Sequence, residues 1–346
     1  MNQEFTRKKV NSYANICDIC HQYNEAVLHN KFWGQRCCVE HYKDGTLRCS
    51  TCHRLKQPEI KYVDLGHGRN LCLDCYSITI ADPKECEKHI FENVRRFYTG
   101  LNLNLDEDIP ILLVDKDEMS RVRKRNYEMH RDIIGLATNI LDFKPIVTIS
   151  RCTKYEDRIE VEKKANKLTM AESFAALFGS NKDNKLLLLF ARPDVLMGMT
   201  LAHEMMHKWL RFQGLIGDRK PERLVEEGIC QVMSHMYGKW FCSTGFKYSS
   251  YNKTDEQLQF TKDLNKYYAN LKKIDSDEAY REGFKQAMHV VKENGLKKTL
   301  DCIVKKGHLA PKMEEDEDNY EDAKGSLPPP KNDVAPPQGL QWVIVQ

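Results

Sequence analysis

The chain has 346 residues, 41% hydrophobic and 30% charged, with a net charge of only +3. That length suits one large domain or two ordinary ones, and the near balance of charge offers no broad basic field for nucleic acid. No run of about 18 apolar residues is present to span a membrane, and the N-terminal stretch lacks the apolar centre of a secretory signal. The expected setting is the cytoplasm, with the nucleus compatible, and in that reducing environment thirteen cysteines point to metal binding before disulfides.

Residues 1–14 read as a flexible lead-in, and residues 15–82 as a small two-zinc module. Its ligand types recur in four pairs, each spaced by two residues: Cys17 with Cys20, Cys38 with His41, Cys49 with Cys52, and Cys72 with Cys75. The gaps between paired knuckles are similar, 17 and 19 residues. Closed tetrahedra of thiolate and imidazole make structural zinc sites, one from Cys17, Cys20, Cys38 and His41 and the other from Cys49, Cys52, Cys72 and Cys75. Cys37 also stands at ligand distance from His41, but Cys38 keeps the spacing of two. A module this small buries little core, so metal binding supplies its folding free energy. Phe32, Trp33 and Tyr62 either cover the knuckles or line a surface for another protein. Cys86, Cys152, Cys230, Cys242 and Cys302 have no partner at ligand spacing and read as small buried apolar residues.

Residues 83–310 read as a second, larger domain of mixed strands and helices, an α+β arrangement. Pro83–Tyr98 has helical spacing and links the module to it. Pro110–Asp115 and Lys185–Arg192 are apolar runs that predict buried strands. Helical periods return at 275–293, with Phe284, Met288 and Val291 on one face, and at 296–306, where Gly307 is a plausible stop. Residues 311–346 change character: an acidic run, then a proline-rich one, cannot form a core and predict a disordered tail. It ends on an apolar cluster, Leu340–Val345, either a tethered docking peptide or a segment that folds back.

The chemistry is concentrated in His203-Glu204-Met205-Met206-His207, within the apolar helical stretch 196–212. Positions i and i+4 share a helix face, so His203 and His207 can address one metal ion, with Glu204 beside a water on that ion. A carboxylate from the following helix, 221–241, would complete a catalytic zinc site with a position left open. Glu226 and Glu227 are about 100° apart there, so only one points at the metal. Glu227 is the expected ligand because it precedes Gly228, which would let the two helices approach closely. Glu226 would then orient a ligand histidine. Glu204 would take the proton of the attacking water and pass it to the leaving amine. His235, Tyr237, Tyr248 and His289 are the candidates for a donor to the developing oxyanion.

These motifs resemble the DA-one family, plant organ-size regulators that are LIM-containing, ubiquitin-activated zinc peptidases. The matching stretches include CDIC at 17–20, RCCVEH at 36–41, KYVDLGHGRNLCLDC at 61–75, LAHEMMHKWLR at 201–211 and VEEGICQVMSHM at 225–236. The resemblance implies a LIM-like module followed by a gluzincin-type peptidase domain that makes limited cuts in regulatory proteins. It implies one catalytic and two structural zinc ions, protein substrates, and partners in the ubiquitin system. Relative to the plant pattern the expectation is a short form, without the ubiquitin-interacting helices and the full LIM domain. The alternative expectation is a non-catalytic zinc-module adaptor.

Overall fold

The computed structural model describes residues 15–25, 27–103, 109–126, 135–139, 146–166, 184–245, 252–309 and 342–345. The expectations of a loose lead-in at 1–14 and of disorder at 311–341 fall outside these residues, as does Tyr248.

The first half of the N-terminal module is a hairpin, β1 (Val27–Asn30) and β2 (Gln35–Cys38), beside the Cys17 knuckle. The second half has β3 (Tyr62–Asp64) paired with β4 (Asn70–Cys72), which feeds the short helix α1 (Leu73–Ser77). The two knuckles repeat one turn. His21 and His53, each just after the second cysteine of its pair, take a left-handed backbone at φ 58° and 62°. Their N–H groups donate to the carbonyls of Cys17 and Cys49 at 2.9 and 3.1 Å. That turn folds two cysteines three positions apart back toward one point.

The halves differ in what they pack against. Cys17, Cys37 and Cys38 belong to a small separate cluster with Ile19, Leu28 and Leu55. Cys49, Cys52, Cys72 and Cys75 lie in the main hydrophobic core, with Val195, Leu201 and Met206 of the metal-motif helix. The second half is therefore continuous with the larger domain. β5 (Thr79–Ile80) pairs antiparallel with β11 (Arg192–Pro193), the residues immediately before that helix.

The chain then runs through α2 (Pro83–Cys86), a π-type turn at Glu87–Phe91 and α3 (Glu92–Gly100), the helical link expected from the sequence. Asp82 caps α2, accepting from the N–H of Lys84, and Pro83 follows it at the first helical position. The two apolar runs are strands. β6 (Ile111–Val114) lies parallel to β10 (Asn184–Leu189), which is central and pairs antiparallel with β7 (Gly135–Asn139) on its other edge. Between them come α4 (Lys116–Asn126) and a long hairpin, β8 (Ile146–Lys154) and β9 (Ile159–Asn166).

Among the described residues five longer helices follow: α5 (Asp194–Phe212), α6 (Arg223–Ser243), α7 (Asp255–Leu271), α8 (Glu278–Asn294) and α9 (Leu296–Lys306). α9 ends on Gly307 in a left-handed conformation, as predicted. Among the described residues no helix is long and apolar enough to cross a membrane. β12 (Trp342–Val345) pairs antiparallel with β1, so the end of the tail folds back, the second of its two readings.

α5 is almost wholly buried, and its first residue, Asp194, forms a buried ion pair with Lys253 at 2.7 Å. Lys253 also donates to Thr261 of α7 at 2.9 Å. A carboxylate at a helix N-terminus is favoured by the helix dipole, and here it ties α5 to α7. Of the module's aromatic residues, Tyr62 lies beside the second knuckle, opposite Cys72 in the strand pair and donating to the carbonyl of Arg54 at 3.0 Å. Phe32 and Trp33 pack on Tyr267 of α7 at 5.2 and 5.3 Å between ring centres, and Trp33 also meets Phe260. They join the module to the helical domain.

Gly228 corrects the sequence reading. A methyl group added there would lie 2.4 Å from the carbonyl oxygen of Gly283, and one at Gly283 would lie 2.3 Å from that of Leu224. The glycine thus admits α8, backbone against backbone, rather than α5. The close approach of α5 to α6 uses Gly198, where an added methyl would overlap the Tyr237 ring. Neither backbone carbonyl can retreat cheaply, so Gly228→Ala and Gly283→Ala are each expected to cost about 1–3 kcal/mol. Urea unfolding should show lower midpoints for both, while Gly100→Ala, with nothing within 4 Å of the new methyl, stays near wild type.

Candidate metal centre

α5 and α6 pack against each other and bring three donor atoms together. His203 and His207, one turn apart on α5, face each other with 3.2 Å between their Nε2 atoms. Oε2 of Glu227 on α6 lies 3.3 Å from Nε2 of His203 and 3.6 Å from Nε2 of His207. Donors held at 2.0–2.1 Å around a tetrahedral zinc stand about 3.3 Å apart. The triangle has that size.

The electrostatics of the triangle also call for a cation. Oε2 of Glu227 is buried without a hydrogen-bond partner among the described residues. Burial pushes the Glu227 carboxyl up, but the two facing imidazoles overcome this and hold it well below the carboxylate range. Burial likewise opposes charge on His207, yet Cys230, Glu226 and Glu227 around it raise its pKa well above the usual value. These surroundings favour positive charge, which a proton or a metal ion can supply. A divalent ion fits the donor set, with His203, His207 and Glu227 as its holders.

Glu226 faces the other way. Its Oε1 lies 3.0 Å from Nδ1 of His207 and its Oε2 3.0 Å from Nζ of Lys220. The carboxylate fixes the ring so that Nε2 points into the centre. The two adjacent glutamates thus meet opposite nitrogens of His207, Glu226 at Nδ1 and Glu227 at Nε2. Glu204 is buried on α5, and its charge is felt by Lys208 and by Tyr280.

Two residues at this centre escaped the sequence reading. Tyr280 of α8 stacks on His203, the rings 6.0 Å apart and within 8° of parallel. Burial, then the charges of Glu227 and Glu204, push its phenol well above the usual range, so the hydroxyl keeps its proton. Arg223 lies over the same ring at 5.7 Å and is held by Asp277 through two hydrogen bonds of 3.1 and 2.7 Å. Tyr280 carries no local motif; only the crossing of α8 over α6 at Gly228 and Gly283 places it. The second residue is Cys230, read as a buried apolar filler. It is buried, but its Sγ lies within 4.8 Å of a donor nitrogen on each of His203 and His207. Burial pushes its thiol up to about 12, against the pull of His207. Three residues expected as oxyanion donors have other surroundings. His235 packs on Phe284, with burial lowering its pKa to about 4; Tyr237 is fully buried; His289 is exposed and paired with Glu293. Of the other unpaired cysteines, Cys86 and Cys152 are buried as expected, whereas Cys242 and Cys302 are only half-buried.

Both N-terminal clusters also come together, with the donor atoms in each within 4.8 Å of one another. In the first, Cys38 rather than Cys37 joins Cys17, Cys20 and His41. Nε2 of His41 is buried without a partner, while its Nδ1 meets Asp44 at 2.6 Å. An orphaned nitrogen backed by a carboxylate fits a metal ligand. Backbone N–H groups of Ile19 and Cys38 donate to Sγ of Cys17 at 3.3 and 3.4 Å. In the second cluster Cys49, Cys52, Cys72 and Cys75 are all buried, and Arg54 donates to the sulfurs of Cys52 and Cys72 at 3.2 Å each. That guanidinium would offset surplus negative charge if the four sulfurs held a divalent ion as thiolates.

This is a protein of mixed strand and helix with cysteine-rich, metal-capable clusters near its N-terminus and a further histidine-containing one between two core helices. The chain belongs to the DA1-like family: residues 100–306 match the family model described as Protein DA1. It is 33% identical to Protein DA1-related 1 of Arabidopsis thaliana, over 83% of this chain and 54% of that protein. It is 29% identical to Protein DA1 of the same plant, over 86% of this chain and 57% of that protein. It is 30% identical to the LIM domain-containing protein HDR3 of Oryza sativa subsp. japonica, over 83% and 60% of the two chains. The chain thus spans little more than half the length of the curated relatives it matches. No solved structure matches it.

Three clusters predict about three zinc ions per chain by elemental analysis. Glu226→Gln, which weakens the support of His207 while leaving the donor triangle intact, should lower affinity for the third ion by about 10–100-fold in a chelator competition. Loss of ions from the N-terminal clusters in that variant, with the third retained, would contradict the assignment.

Proposed function

We propose that this protein is a zinc-dependent peptidase of the gluzincin type, hydrolysing amide bonds in selected protein substrates. The observation that carries the reading is the convergence of Glu227 Oε2 with the Nε2 atoms of His203 and His207, in a buried space that favours a cation. Zinc bound there would supply a Lewis acid that activates water and polarises the scissile carbonyl.

The protein's own groups do the rest. His203, His207 and Glu227 hold the ion, and Glu226 keeps His207 turned toward it. Glu204, next to His203 on α5, accepts the proton of the attacking water and delivers it to the leaving nitrogen. Tyr280, protonated and stacked on His203, is the donor we assign to the oxygen that becomes negative as the carbonyl is attacked. Arg223 and Asp277 brace that ring. The burial of Glu204 and Glu227 removes competing bulk water and strengthens each of these electrostatic effects.

Limited cutting of regulatory proteins in the cytoplasm or nucleus, and control through ubiquitin, form part of this proposal on the strength of the family alone. An adaptor that used the fold only for binding would have no need of a buried glutamate beside a histidine pair.

Two substitutions test the reading. Glu204→Gln should keep the fold and the third zinc but lower cleavage by at least about a hundredfold, measured as cut proteins in cells expressing either form. Equal proteolysis by both would remove the glutamate from the mechanism. Tyr280→Phe should lower kcat by about 10²–10³ with KM little changed, since the hydroxyl acts on the transition state.

A further inference from the structure

Cys230 occupies a place that the peptidase reading leaves unexplained. It lies three residues after Glu227 and so on the same side of α6. Its Sγ and one nitrogen from each of His203 and His207 form a set in which no two atoms are more than 4.8 Å apart. A thiolate bonded to zinc at about 2.3 Å stands about 3.6 Å from a neighbouring imidazole nitrogen on the same ion. A change of χ1 swings a cysteine sulfur by more than the remaining difference. A completely buried thiol in an apolar core would be inert packing, but this one has a nitrogen of each of two imidazoles within 4.8 Å.

We propose that Cys230 is a fourth protein donor to the ion at this centre, exchanging with water and giving the site a closed state. Four protein donors complete a tetrahedron, which is the character of a structural site; catalysis requires the fourth position for water. In the closed state the sulfur takes that position and Glu204 has no water to act on. The exchange balances without any oxidant: the thiol proton goes to solvent as sulfur replaces water, and the reverse step returns it. The inference rests on the proposed metal site and adds a ligand to it.

The test uses the whole chain with its N-terminal clusters kept in zinc and only the third ion exchanged for cobalt(II). Wild type should show the near-ultraviolet thiolate-to-cobalt charge-transfer band. Cys230→Ala and Cys230→Ser should bind the same amount of cobalt at the third site but lose the band. The third zinc should also leave both variants roughly tenfold more readily in a chelator competition, a size typical of altered metal surroundings. Equal spectra from wild type and both variants, with the third cobalt bound, would overturn the proposal while leaving the metal site standing. Failure of wild type to take up a third ion at all would overturn the metal-site reading and this inference together.

Discussion

Three lone-pair donors crowded within 3.2–3.6 Å of one another, two imidazole nitrogens and a carboxylate oxygen, repel unless positive charge lies among them. The rest of the domain can be understood as the framework that enforces this crowding. α5 supplies the histidines from a helix buried along nearly its whole length. α6 supplies the carboxylate, and Glu226, anchored by Lys220, holds one ring from behind. Leaving such groups unpaired in a core is costly, and a bound ion converts that cost into binding free energy.

Helix crossings determine what surrounds the triangle. The contact of Gly228 with Gly283 lets α8 approach α6 with backbone against backbone, and that approach carries Tyr280 over His203. A side chain on either glycine would push α8 outward and take the phenol with it. On the far side, Tyr98 donates to the carbonyl of Ala202 at 2.5 Å, pinning α3 to the turn of α5 that precedes the histidines. The functional groups thus come from three helices, while the fixing contacts lie mostly outside the chemistry.

The N-terminal module is joined to this framework unequally. Its second cysteine cluster shares the main core with α5, and β5 pairs with the two residues that launch that helix. His53 and Tyr267 bridge the module to α7 at 2.9 Å, and Tyr268 donates to Thr51 at 3.0 Å. The first cluster stands in a separate small core, with its β1 edge covered by β12. A boundary drawn at residue 82 divides the motifs cleanly, but the apolar packing runs across it.

The periodic and closely spaced features were legible in the residues themselves. The i, i+4 histidines, the paired cysteines, the two apolar strands and the closing helix with Gly307 are local patterns, because helix pitch and knuckle turns act over a few positions. Local pattern also showed that Glu226 and Glu227 cannot face the same way, but the ground for preferring Glu227, a close approach at Gly228 to the histidine helix, does not hold. Local pattern could not show which helix Gly228 admits, that Tyr280 lies over His203, or that the sulfur of Cys230 lies within 4.8 Å of a nitrogen of each histidine. Nor could it show that Phe32 and Trp33 join the module to α7. Each depends on the angle and depth at which distant segments pack, and those follow from steric fit over the whole core rather than from any short stretch of chain.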